Sequence, residues 1–107
     1  MIPNKPLVSI IIPTCNRPEY LIRSIKSVIS QTFSFWECII IDDCSKVSAK
    51  KVLKEFLELD KRFKIIRNST PKFASEARNI GIRSSQGFYI AFLDDDDYWH
   101  SEKLQKQ

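Results

Sequence analysis

The 107-residue chain is 43% hydrophobic and 11% aromatic, enough for one buried core and too apolar for a disordered segment. With only two glycines, Gly81 and Gly87, it excludes a glycine-rich phosphate loop of the GxGxxG or GxxxxGK(S/T) kind. The formal net charge is +4, but lysines and arginines are scattered rather than gathered into an aromatic-interleaved stripe, which argues against nucleic acid as a partner.

Residues 7–12 form a short, β-branched apolar run stopped by Pro13, the pattern of a buried parallel strand. Between residues 20 and 31, Leu21, Ile22, Ile25, Val28 and Ile29 recur at helical spacing, with Pro18 where a helix would begin. Residues 36–41 give a second strand that ends at Asp42 and Asp43. Val52, Leu53, Phe56 and Leu57 mark a second helix with Ser48 as its expected N-cap. Residues 63–66 read as a third strand, and Ala74, Ala77 and Ile80 as a helix over 74–84. After Gly87, residues 88–93 form a fourth strand, and a helix start follows at Ser101. Strands alternating with helices imply βαβ units, a parallel sheet and right-handed crossovers.

The cysteines, Cys15, Cys38 and Cys44, are odd in number and lack CxxC spacing, so neither a zinc site nor a disulfide framework is expected. Cys38 lies in an apolar run and reads as a small buried hydrophobe. Reduced thiols fit a cytoplasmic location. The stretch 7–12 is too short for a signal segment, and no run approaches transmembrane length. The basic surplus fits mild attraction to an anionic ligand or a membrane face, and fits a solvated surface equally well.

The densest chemistry lies in four consecutive aspartates, Asp94 to Asp97, directly after the fourth strand. Carboxylates this close repel one another and raise the cost of ionisation unless a cation or donors satisfy them. Oxygen-only ligands point to a hard divalent ion, Mg²⁺ or Mn²⁺, rather than zinc. The alternative is a solvated acidic turn with one aspartate capping the next helix. In doubly wound sheets, ligands bind beyond the carboxyl ends of the strands where strand order reverses. With order 3-2-1-4, Thr14 and Asn16, Asp42 and Asp43, and Asp94 to Asp97 would converge on one edge. A solvated turn predicts no such convergence.

Five segments together carry a resemblance: VSIIIPTCNR at residues 8–17, SVISQTF at 27–33, IDDCS at 41–45, ARNIGI at 77–82 and FLDDDD at 92–97. In this order the chain resembles the opening of the family-2 glycosyltransferases. The resemblance implies a GT-A, Rossmann-like α/β fold and a nucleotide-sugar donor, commonly a UDP-sugar. It also implies a divalent metal (Mn²⁺ or Mg²⁺) and inverting transfer to a hydroxyl on a saccharide or lipid-linked acceptor. Carried over by motif, Pro13, Thr14 and Asn16 would line the nucleoside pocket, and Asp43 would accept a hydrogen bond from the base. Arg78 would contact the nucleotide side of the donor, its alternative being an ion pair with Asp43 or the aspartate cluster. Asp94 and Asp96 would be the acids of the DxD motif, with Asp96 touching the metal and Asp95 against the donor ribose or sugar.

No residue reads as a convincing general base. His100, the only histidine, reads as a surface residue at a helix start. Cys15 stands where the family commonly has an aromatic, Cys44 where it has glycine and Ser101 where it has proline, so a strained turn is expected at Cys44. Family members are much longer than this chain. Residues 1–107 are therefore expected to be the nucleotide-sugar-binding half, incomplete at its C-terminal side, with acceptor contacts and the base beyond Gln107. An open sheet edge would favour self-association, and the full enzyme could sit peripherally on the cytoplasmic face of a membrane. The competing reading is a non-catalytic remnant that binds nucleotide or a partner chain. An aspartate phosphoacceptor domain fits less well, because it wants one acceptor aspartate and a lysine ending a later strand.

Overall fold

Two isoleucine-rich runs decide the architecture. In the computed structural model, which describes residues 6–95, Ile10, Ile11, Ile12, Ile39, Ile40 and Ile41 are all completely buried. Strands buried on both faces require a layer above and a layer below, which is how parallel sheets are covered. The elements run β1 (Val8–Thr14), α1 (Pro18–Ile29), β2 (Trp36–Asp43), α2 (Ala49–Val52), α3 (Lys54–Leu59), β3 (Phe63–Asn68), α4 (Phe73–Ser84) and β4 (Tyr89–Phe92). The sheet order is β3-β2-β1-β4, as expected from the sequence, and every pairing is parallel.

Side chains on one face of the sheet, including Ile10, Ile12, Cys38 and Ile40, bury Leu21, Ile25 and Val28 of α1 and Ala49 of α2. Those on the other, Ile11, Ile39 and Ile41, bury Ala77 and Ile80 of α4. This period-2 division of one run between two cores is what a doubly covered strand demands. Cys38 is fully buried, as its apolar context implied. Gly81 sets how close α4 comes: a Cβ there would lie 2.5 Å from Cγ2 of Ile11.

Several boundaries differ from the sequence reading, among them α1, which spans Pro18–Ile29 rather than 20–31, β2, which runs on to Asp43, and α4, which begins at Phe73. β1 runs through Pro13 to Thr14 rather than stopping at the proline. The carbonyl of Ile11 accepts from Leu93 on the β4 side, and alternate residues of a strand face the same neighbour. Pro13 therefore turns its missing N–H toward β4 beyond that strand's end, where the ladder needs no donor. β3 continues to Asn68, held in register by Asp42 and Asp43 opposite Arg67 and Asn68. β4 is shorter than expected, residues 89–92 instead of 88–93. The single second helix is two short ones, α2 and α3, meeting at the buried Leu53 (φ −100°, ψ 14°). Ser48 caps α2 as expected, its hydroxyl accepting from the Lys51 amide.

At the amino ends of the strands, a buried polar knot ties the layers together. Glu37 accepts from the Ser9 hydroxyl at 2.6 Å, from Lys64 Nζ at 2.9 Å and from the Gln86 amide at 2.6 Å. Ser9 in turn accepts from the Gly87 amide at 2.8 Å. Burial alone would raise the Glu37 pKa, but these donors hold it below its ordinary value.

Candidate functional site

The chain leaves β1 outward to β2 and β3, then returns through α4 to β4 on the other side of β1. The crevice at that reversal opens at the carboxyl ends of the strands. It is a cleft of about 330 Å³ whose lining includes Pro13 and Thr14 from β1, Asp43 from β2, Arg78 from α4, and Asp94 and Asp95 after β4. Three strand ends that the sequence singled out thus meet in one cavity.

Asp42 and Asp43, adjacent in sequence, take different work. Asp42 is fully buried and faces away from the cleft. Its carboxylate accepts from the backbone of Ser45 (3.1 Å) and Ala49 (2.8 Å) and from Arg67 (2.7 Å), so it anchors the β2–α2 turn. Asp43 lines the cleft and holds the start of α4. Oδ1 accepts from Asn68 Nδ2 (3.0 Å) and the Lys72 amide (2.8 Å), while Oδ2 accepts from the Phe73 amide (2.9 Å). Burial pushes both carboxyls up, yet these hydrogen bonds outweigh it and leave both below the usual carboxylate value.

Thr14 and Asp95 clamp the end of β1 to the segment after β4. The Thr14 hydroxyl donates to Asp95 Oδ2 at 2.8 Å, Arg17 reaches Oδ1 at 3.4 Å, and the Ser24 hydroxyl of α1 donates to the Asp95 carbonyl at 2.9 Å. Across the cleft, Arg78 pairs with Asp94 at 2.9 Å, both side chains well exposed. This is the aspartate-cluster ion pair weighed above for Arg78. Asn16 lies apart, on a second hollow between α1 and the β2–α2 turn. Its amide N–H donates to Ser45 Oγ, and its side-chain oxygen accepts from the Lys46 amide at 2.7 Å. Asp96, the expected metal contact, lies outside the described residues, as do Asp97 and His100.

The cleft also holds residues that sequence reasoning did not single out, Arg17 and Phe73. Arg17 is the last residue of the first motif, but no role attaches to it there. Phe73 has a φ of 65°, a left-handed backbone otherwise taken here by Asn16 (55°) and Cys44 (64°) among the described residues. The strained turn expected at Cys44 is therefore present. Cys15 lines the cleft as an exposed thiol. Partial burial first, then the neighbouring Asp43 and Asp42 carboxylates, raise its pKa and keep it protonated.

The model of the family described as "Glycosyl transferase family 2" matches residues 9–107. The chain belongs to this family. TuaG of Bacillus subtilis (strain 168), named for teichuronic acid biosynthesis, is 40% identical over 103 residues, covering 96% of this chain and 41% of TuaG. WfgD of Escherichia coli, named a UDP-Glc:alpha-D-GlcNAc-diphosphoundecaprenol beta-1,3-glucosyltransferase, is 41% identical over 101 residues, 94% of this chain and 39% of WfgD. The chain thus spans about two fifths of these glycosyltransferases. The structure of S. aureus TarS 1-349 in complex with UDP superposes with a TM-score of 0.85 at 25% identity, over 94% of this chain and 30% of that one. Sheet order and superposition together make this the GT-A fold of the glycosyltransferases. Among the described residues, no helix is long and apolar enough to cross a membrane.

Proposed function

We propose that this chain forms the donor site of a glycosyltransferase that moves a sugar from a nucleoside diphosphate, UDP in our reading, to an acceptor hydroxyl with inversion. One observation carries the reading: Thr14, Asp43, Arg78 and Asp94, brought from three strand ends and α4, line a single cleft at the switch point. Asp43 takes a base N–H, Pro13 and Thr14 flank the nucleoside, and Asp95 lies toward the ribose or sugar. Arg78, a permanently charged planar donor, turns from Asp94 to the diphosphate oxygens. The UDP-bound TarS neighbour and the UDP-Glc donor in the name of WfgD support the choice of nucleotide. The diphosphoundecaprenol acceptor in that same name supports a lipid-linked saccharide acceptor; work at the cytoplasmic face of a membrane is part of our reading.

The donor chemistry fits a divalent cation, Mn²⁺ or Mg²⁺. Among the described residues no group of three or more metal-ligating side chains gathers into a cage. Such ions need only one or two carboxylates, the remaining positions going to phosphate and water. Asp94, with 59% of its side chain exposed beside the cleft, supplies one carboxylate, and Asp96 is our choice for the second. A bound cation supplies neutralisation of the charge that builds on the departing diphosphate. Arg78 adds to the same electrostatic stabilisation. We assign no general base to this chain.

Calorimetric titration of UDP, with Mn²⁺ and then with EDTA, tests the reading. Expected is metal-dependent binding that weakens at least about tenfold in Arg78→Ala, where a charge-assisted contact to the diphosphate is lost. A folded chain that ignores UDP under both conditions sinks the proposal. Binding without sugar transfer, even by a longer form of the protein, favours a non-catalytic nucleotide-binding remnant.

A further inference from the structure

Phe73 combines two properties that packing does not explain. It is the first residue of α4 in a left-handed backbone (φ 65°), a region that bulky side chains occupy only when the surroundings impose it. Yet 73% of its surface is exposed, so no core contact compensates for the strain. What fixes the backbone is Asp43, whose Oδ2 accepts from the Phe73 amide at 2.9 Å. The ring is thereby left at the wall of the cleft, the one aromatic among the described residues that line it.

The hydrogen bonds of Asp43 show what the ring would meet. A carboxylate offers about four acceptor positions. Among the described residues, Oδ1 takes two donors, Asn68 and the Lys72 amide, while Oδ2 takes the Phe73 amide alone. The unused acceptor is therefore on the oxygen bound to the backbone of Phe73 itself. A planar heterocycle whose edge N–H donated to that oxygen would sit beside Phe73, which lines the same cleft. The geometry points to Phe73 as the stacking platform for the nucleobase of the donor, a specificity-determining residue that selects an aromatic base while Asp43 reads its edge. This inference rests on the donor-site reading. Base–aromatic stacking tolerates many bases, so Phe73 confers affinity for a base, and Asp43 chooses among bases.

Titration of UDP, uridine and inorganic pyrophosphate into the parent chain and its variants separates the outcomes. Phe73→Leu, equally strained but without a π face, is expected to weaken UDP and uridine about tenfold and to leave pyrophosphate unchanged, while Phe73→Trp retains nucleotide affinity. Phe73→Gly relieves the left-handed strain, so it should raise the thermal midpoint while weakening UDP. A merely structural role would move stability and binding together. Unchanged UDP affinity in Phe73→Leu, with binding still weakened in Arg78→Ala, overturns the stacking role and spares the donor site. Absence of UDP binding in the parent chain overturns both.

Discussion

Asp42 and Asp43 are consecutive, buried carboxylates that each fasten the start of a helix, and most of the acid sensitivity of the fold should arise from such groups. In Asp42 the acceptors hold Ser45, Ala49 and Arg67; in Asp43 they hold Asn68 and the first amides of α4. Burial opposes ionisation in both, but the donors win and both pKa values fall below the ordinary value. A carboxyl with a depressed folded pKa stabilises the fold above its unfolded value, about 4 for aspartate, and loses that contribution as pH falls through the folded value. The thermal midpoint should thus stay level from neutrality to about pH 5 and drop below about pH 4, where protonation is linked to unfolding. Asp42→Asn should flatten that drop, and an unaltered acid limb in scanning calorimetry would show that Asp42 is not among the groups responsible. Asp43→Ala strands three donors and should cost about 2 kcal/mol, roughly 10 °C in midpoint for a chain of this size. Since Asp43 also faces the cleft, lost UDP binding in that variant alone is ambiguous. Asn68→Ala, which removes one support of Asp43 from outside the cleft lining, is the control: it should lower the midpoint and leave the nucleotide affinity within about threefold.

At the level of elements, α4 carries Arg78 and Phe73, so its seating on β1 governs the cleft. Gly81 lets that seating be close, because any Cβ would sit 2.5 Å from the fully buried Ile11. Alanine in mid-helix gains up to about 1 kcal/mol over glycine, while forcing a methyl into a filled core costs about 1–3 kcal/mol. The second effect should win, and Gly81→Ala should lower stability by about 1 kcal/mol and shift Arg78, one turn away, off its pairing with Asp94. A midpoint in thermal melts equal to or above the parent's would show that Ile11 yields freely. The elements themselves were legible wherever hydrophobic periodicity spoke: Ile10 to Ile12, Ile39 to Ile41 and the Leu21, Ile25, Val28 stripe need no tertiary information. What escaped was set by partners distant in sequence. Pro13 is tolerated in β1 because β4 ends opposite Ile11, and the polar end of β3 is kept extended by Asp42 and Asp43 across the ladder. The buried Leu53 divides one helical pattern into α2 and α3. In the cleft, Pro13, Thr14, Asp43, Arg78, Asp94 and Asp95 came from motifs and strand ends, and the structure assembles them. The placement of Asn16 on a different hollow depends on a bridge to Lys46, thirty residues away. A left-handed phenylalanine such as Phe73 leaves no trace in a pattern of polar and apolar residues.

At the scale of the molecule, the sheet formed by the described residues has two unlike edges. β3 presents Lys64 and Arg67 to solvent, the charged dressing that discourages strand addition. β4 presents Tyr89, Ile90 and Phe92, exposed by 65%, 38% and 46%, next to Phe88 at 76%. No charged side chain interrupts that stretch. Among the described residues no strand pairs with the outer side of β4, and an uncharged apolar edge templates another strand, from more of the same polypeptide or from a second copy. These 107 residues by themselves should therefore associate through β4 at micromolar concentration, as light scattering on a sizing column would show by a mass that grows with loading. Tyr89→Lys puts a charge on that edge at an exposed position, so it should return the chain to a monomer without loss of thermal stability. The cleft opens at the carboxyl ends of the strands, whereas association would run along the side of β4, so UDP should bind monomer and oligomer alike. A parent chain that stays monomeric throughout the concentration series would mean that the β4 edge is already covered, and a Tyr89→Lys variant that still associates would move the contact to another face.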